Sequence, residues 1–279
     1  MGIVDFHTHT FPDAIAQKAI TGMQRNSHAA AFGSGTVSGL LESMDRAGIS
    51  HSVVLPVATN PAKIASINTV SMESRNEQLI YFGAMHPQAE NWKEELNRLA
   101  AAGVPGIKIH PQYQETDITD IRYLRILDHA AGLGLITLMH SGNEIAYPGV
   151  VRCSPEMVRS VCDQLGNIPL VLAHMGGWKN WERVAENLAD TGCYLDTAIS
   201  LGQIAALPDG HYAPDDLPLL SEEDFVSLVR TFGSQRILFG TDSPWADQKE
   251  EIRKISTLPL TEEVLGNIFS HNAHRLLKL

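Results

Sequence analysis

The chain has 279 residues, 44% hydrophobic and 19% charged, enough to bury a large core as one domain spanning 1–279. Its 21 basic and 32 acidic side chains leave a formal charge of −11, which disfavours nucleic acid and anionic membranes as partners. Cys153, Cys162 and Cys193 form no Cys-x-x-Cys pair and argue against a disulfide framework; with no basic leader before Ile3 and no apolar stretch of about 18 residues, a soluble cytoplasmic protein is expected.

Short β-branched runs separated by helical patterns predict eight strands: Gly2-Phe6, Ser52-Val57, Leu79-Met85, Gly106-Ile109, Leu135-Met139, Leu170-Ala173, Cys193-Thr197 and Arg236-Gly240. Between them, Ala89-Ala102, Ile121-Ala131, Ser154-Leu165 and Ser221-Phe232 carry apolar residues at helical spacing. The Ser-Pro-Glu and Ser-Glu-Glu starts read as N-caps, and Gly103, Gly132, Gly166 and Gly192 as C-caps. Phe11-Gly39 and Ala198-Leu220 read as long loops able to cover an active face, and Glu262-Phe269 with Asn272-Leu277 as a helical extension packed outside. Eight strands alternating with helices predict an α/β fold, a (β/α)8 TIM barrel with a C-terminal helical extension. An open Rossmann sheet would want a glycine-rich turn after the first strand, where His-Thr-His stands instead.

The first strand ends in Asp5-Phe6-His7-Thr8-His9. Alternate strand residues share a side, so His7 and His9 project together and could grip one metal ion. Polar residues recur at the ends of the other strands: His86, Lys108 and His110, His140, His174, Asp196 and Asp242. An eight-stranded barrel places its active site at that level, so the set reads as a metal or polyhistidine site. Imidazole and carboxylate donors without thiols suit zinc, and also manganese, iron or cobalt.

Six motifs, D-F-H-T-H-T (Asp5-Thr10), G-I-K-I-H-P (Gly106-Pro111), L-M-H-S-G (Leu138-Gly142), L-A-H-M-G-G (Leu172-Gly177), F-G-T-D-S-P-W (Phe239-Trp245) and N-A-H-R-L-L (Asn272-Leu277), stand in order along nearly the whole chain. In them the sequence resembles the amidohydrolase superfamily, within it the branch that includes aminocarboxymuconate-semialdehyde decarboxylase. The resemblance implies that His7, His9, His140 and Asp242 hold one divalent ion, most simply Zn2+, with His174 beside it as acid/base or substrate polariser and Asp242 sharing the proton work. A two-metal arrangement with a carboxylated Lys108 bridging the ions also fits the residues; one ion is the preferred reading.

Lys108, His110 and Arg152 are candidates to bind substrate, Lys108 through a substrate carboxylate. His86 and His110 each precede proline, which suggests loop shaping, and for His86 that reading is preferred. Asp196 either supports a site histidine or caps a loop; Asp5 is assigned to the helix side of its strand or to a loop cap. Trp178 and Trp245 wall a pocket or fill the core. The leading functional expectation is a hydrolase attacking an amide, ester or lactone of a small polar molecule with metal-activated water. The alternatives are a non-oxidative decarboxylase (lyase) of a small carboxylic acid using the same residues, and a catalytically inactive binding barrel. Nothing in the motifs sets the substrate or the oligomeric state, with which a homodimer is compatible.

Overall fold

Apolar alternation ending in the histidine pair produces the first strand of the computed structural model, which describes residues 1–213 and 215–279. In chain order the elements are β1 (Ile3–Thr8), α1 (Asp13–Ser27), α2 (Val37–Ala47), β2 (Ile49–Val54), α3 (Ile64–Glu73), β3 (Leu79–Tyr81), β4 (Gly83–Ala84), α4 (Trp92–Ala101), β5 (Gly106–Ile109), α5 (Ile121–Gly132) and β6 (Ile136–Met139). There follow α6 (Pro155–Leu165), β7 (Leu170–Leu172), α7 (Trp181–Leu188), β8 (Tyr194–Asp196), α8 (Glu222–Phe232), β9 (Ile237–Leu238), α9 (Gln248–Ser256), α10 (Glu262–Gly266) and α11 (Asn272–Leu277). They divide into two compact units, Met1–Ser52 with Thr197–Leu279, and Val53–Asp196.

In the first unit the two ends of the chain meet. Phe6 N donates to Phe239 O, Asp242 N to His7 O and His9 N to Ser243 O, at 2.7–2.8 Å, so β1 runs alongside the segment that leaves β9. Val4 and Phe6 are fully buried. Thr36 caps α2 by accepting from Gly39 N, and Ser221 caps α8 by accepting from Asp224 N. The C-terminal helices are anchored, not merely laid on: Asn272 Nδ2 donates to Ser234 O and Ile237 O at 2.7 Å, and Ile268 and Ala273 are fully buried.

The second unit is built on a parallel ladder, β4-β5-β6-β7-β8. Its strands are two to four residues long and mostly apolar, with Ile107, Leu138, Val171, Leu172 and Leu195 fully buried, as strands covered on both faces require. Ile109 pairs with Met139 in the β5-β6 register, which brings the residues that follow, His110 and His140, level with each other. Cys153 and Cys193 are buried and Cys162 half-buried; Cys162 Sγ and Cys193 Sγ touch at 3.6 Å, and none of the three is in a disulfide.

Several boundaries differ from the sequence expectation. The first strand extends to Thr8, the second begins at Ile49, the third divides into β3 and β4, and the eighth shrinks to Ile237–Leu238. The expected loop Phe11-Gly39 contains the fifteen-residue α1, which buries Ala16 and Ile20 at helical spacing. Ala198-Leu220 is irregular where described, held by bridges Leu201↔Leu220 and Gln203↔Pro218; its Pro214 lies outside the described residues. Gly103 and Gly166 have φ near +70°, as expected past a helix, whereas after α5 the positive φ falls on Gly134 rather than Gly132. Among the described residues no helix is long and apolar enough to cross a membrane.

Candidate functional site

β1 and the segment after β9 set three donor atoms together in the first unit. His9 Nε2 lies 3.2 Å from His7 Nε2 and 3.0 Å from Asp242 Oδ1, and His7 Nε2 lies 3.6 Å from that same oxygen. Donors about 2.1 Å from a common ion lie roughly 3.0 Å apart at octahedral angles and about 3.4 Å apart at tetrahedral ones. Two edges of the observed triangle fall in that range and the third, at 3.6 Å, lies just beyond it; its members are two imidazoles and one carboxylate, so these residues fit a divalent ion. His7 is buried, while the His9 and Asp242 side chains keep 14% and 13% exposure, enough to face a ligand. Asp242 has φ +62°, a left-handed conformation that is uncommon outside glycine but that aspartate tolerates better than most residues.

Behind the triad, Asp5 is fully buried. Burial pushes its carboxyl up to about 7, opposed by hydrogen bonds from Thr241, Gln248 and the His7 backbone. Asp5 thus meets the first residue of α9 through Gln248 and braces the loop after β9 through Thr241, in line with the helix side and loop cap expected for it. Residues 5, 7 and 9 share strand parity, which is the signal that could have placed it.

The second unit holds another buried cluster at the strand ends. His140 Nε2 donates to Asn143 O at 2.8 Å, which leaves Nδ1 as the unprotonated nitrogen, 3.1 Å from His174 Nε2. Burial, then His174 and Lys108, hold the His140 pKa well below the usual imidazole value, so the ring is neutral at pH 7. His174 lies at φ +60°, its backbone N donating to Asp196 Oδ1 at 3.0 Å and its carbonyl accepting from Trp181 Nε1 at 2.9 Å. Asp196 thus fixes the backbone of His174. Gly142, at φ +91°, lets the loop after β6 press against Trp178: an added Cβ would stand 2.2 Å from Trp178 N. That approach pins the segments bearing His140 and His174 together, through Trp178 N to Ser141 O and Asn143 N to Trp178 O, both 2.9 Å.

His110 stacks between Tyr113 and His140, with centroids 3.9 and 4.2 Å away and planes within 10°. Its Nδ1 accepts from Tyr113 N, and His86 Nδ1 likewise accepts from Gln88 N at 3.1 Å, so both histidines shape their loops. Glu144, which sequence reasoning missed, places Oε2 3.6 Å from Nε2 of both His110 and His140. These three could be taken for a second ligand set. The near-parallel rings rule this out as they stand, because in-plane lone pairs on stacked imidazoles run side by side and do not converge on one ion. Lys108 is buried on β5 at 1% exposure. Arg152 is half-buried, with Nη1 donating to Asp117 Oδ1 at 2.9 Å. Trp178 is buried.

The model of the amidohydrolase family, Amidohydro_2, matches residues 4–279. No curated protein matches the sequence. Among solved structures, an uncharacterised TIM-barrel protein from Bordetella bronchiseptica is similar at TM-score 0.77 and 18% identity, covering 99% of this chain and 98% of the other. A dihydroxybenzoic acid decarboxylase from Polaromonas sp. JS666, with bound manganese and the inhibitor 2-nitroresorcinol, is similar at TM-score 0.69 and 13% identity, covering 100% and 97%. A protein assigned as a 2-pyrone-4,6-dicarboxylic acid hydrolase from Pseudomonas putida is similar at TM-score 0.64 and 15% identity, covering 99% and 97%. The fold is the α/β TIM barrel that the strand–helix alternation predicts.

Proposed function

The chain belongs to the amidohydrolase family, and from that premise we propose that it is a metal-dependent decarboxylase of a small carboxylic acid. The observation that carries the metal dependence is the convergence of His7 Nε2, His9 Nε2 and Asp242 Oδ1. His140 is proposed as the fourth ligand on the strength of the L-M-H-S-G motif, and its hydrogen bond to Asn143 O makes Nδ1 the ligating atom. Zn2+ suits this donor set, and Mn2+ is supported by the manganese-containing decarboxylase of the same fold. When bound, the ion supplies Lewis-acid polarisation of a substrate oxygen.

The residues then divide the work. Lys108, buried on β5, holds the substrate carboxylate. His174, its backbone fixed by Asp196, holds the proton that reaches the substrate carbon as the bond to the departing carbon dioxide breaks. His110, with both ring faces covered by Tyr113 and His140, would meet the substrate through its ring edge. Arg152 contributes at the periphery, where a second substrate carboxylate would compete with Asp117 for its guanidinium. A cytoplasmic location and a small-molecule substrate belong to the same reading.

Hydrolysis of a lactone, ester or amide is the second reading, favoured by the hydrolase-assigned structure of the same fold. There Asp242 would take a proton from the attacking water and His174 would stabilise the developing oxyanion. Protein loaded with Zn2+ or Mn2+ and offered hydroxylated benzoic acids and pyrone lactones distinguishes the two. Carbon dioxide release measured beside a pH-stat trace is expected with the acids. Acid release without carbon dioxide would establish hydrolysis instead, and absence of both turnover and bound metal would leave an inactive barrel.

A further inference from the structure

Asp5 lies two residues before His7 and accepts four hydrogen bonds. Oδ1 takes the backbone N–H groups of His7 and Thr241, each at 3.1 Å. Oδ2 takes the Thr241 hydroxyl at 2.6 Å and the Gln248 amide at 2.7 Å. Each oxygen is therefore tied to the segment preceding Asp242, and Oδ1 alone also spans to the segment bearing His7. We propose that Asp5 is a positioning residue for the candidate metal centre: its carboxylate locks the His7 and Asp242 backbones in register, so that the donor triangle exists before an ion arrives. This inference rests on the metal reading above.

Two further observations support it. Asp242 occupies its left-handed conformation directly after Thr241, and Ser243 N in turn donates to Thr241 Oγ1 at 3.1 Å, so the hydroxyl that binds Asp5 also braces the far side of that residue. Gln248 Oε1 is buried without a partner. An orphaned buried acceptor asks for a reason, and the donation from its own Nε2 to Asp5 supplies one. Substitution by asparagine would leave one acceptor oxygen and set an NH2 group against the donors.

Competition with a chromophoric chelator on metal-stripped full-length protein tests the proposal, with Zn2+ as the probe and the Co2+ absorption spectrum as a report of ligand geometry. Wild type should bind one ion. Asp5→Asn, shown to be folded by circular dichroism, should bind about 10–100-fold more weakly, as loss of outer hydrogen bonds to metal ligands typically causes, with an altered Co2+ spectrum. Gln248→Met should shift affinity in the same direction by a smaller factor. A folded Asp5→Asn with unchanged affinity and spectrum overturns the positioning role. If that variant does not fold, unchanged affinity and spectrum in Gln248→Met overturn it. The metal reading fails separately, if wild type binds no ion or if His9→Ala binds as well as wild type.

Discussion

Asp196 shows how a single carboxylate can serve a site by holding a neighbour's backbone in place. The His174 backbone N–H is buried, and Asp196 Oδ1 accepts from it at 3.0 Å while the residue sits at φ +60°. Asp196→Ala should lower stability by about 1–3 kcal/mol, the cost of an unsatisfied buried donor, and reduce turnover at least about tenfold by releasing the His174 ring. Asp196→Asn keeps an acceptor oxygen and should retain most of the stability; urea midpoints of the two variants check the difference. At this scale the sequence was informative wherever strand parity governed a side chain. His7 and His9 follow from period two, and Asp5 obeys the same parity, so its burial behind the triad is legible in the sequence. Glu144 was not legible, because it lies in a loop whose approach to His110 and His140 depends on the β5-β6 register and on the close passage of Gly142 past Trp178.

At the level of elements, caps explain why some boundaries were readable. Ser154 and Ser221 start α6 and α8 with side chains that accept from Met157 N and Asp224 N, as their sequences predict. Strands of two to four residues carry too few alternations to fix their ends, and α1 was hidden because only Ala16 and Ile20 of its fifteen residues are buried. Asp120 caps α5, accepting from Arg122 N at 2.9 Å and pairing with the Arg122 guanidinium. Hydrogen bonds from Arg122 draw its pKa down from 3.8 to about 2. A depressed carboxyl pKa means that the unfolded chain binds more protons between those values. The cap's contribution is thus complete above the unfolded value and disappears as pH falls through about 2. Asp120→Ala should cost about 1 kcal/mol at pH 7, most of it from the cap, since the ion pair is exposed. Urea titrations should show that difference steady from about pH 5 to 8 and vanishing near the folded pKa.

Across the whole molecule, the proposed ion would join the two ends of the chain. His7 and His9 lie in the first strand and Asp242 beyond the last, within a unit made of Met1–Ser52 and Thr197–Leu279. An ion held by both ends binds only the folded state, because the unfolded chain must close a very long loop to reassemble the triad. Its stabilisation then follows mass action and reaches about 2.7 kcal/mol at a free-ion concentration of 100 times Kd. With the usual entropy of unfolding for a domain of this size, that corresponds to a rise in melting temperature of about 5 °C. Calorimetry of metal-stripped protein titrated with Zn2+ should show this rise growing logarithmically with ion concentration and reversing with chelator. The same titration of Asp242→Ala or His7→Ala should be nearly flat, since either change removes a donor from one end of the chain. A rise that persisted in both variants would mean that the ion stabilises the protein from some other place and that the triangle at the strand ends is not where it binds.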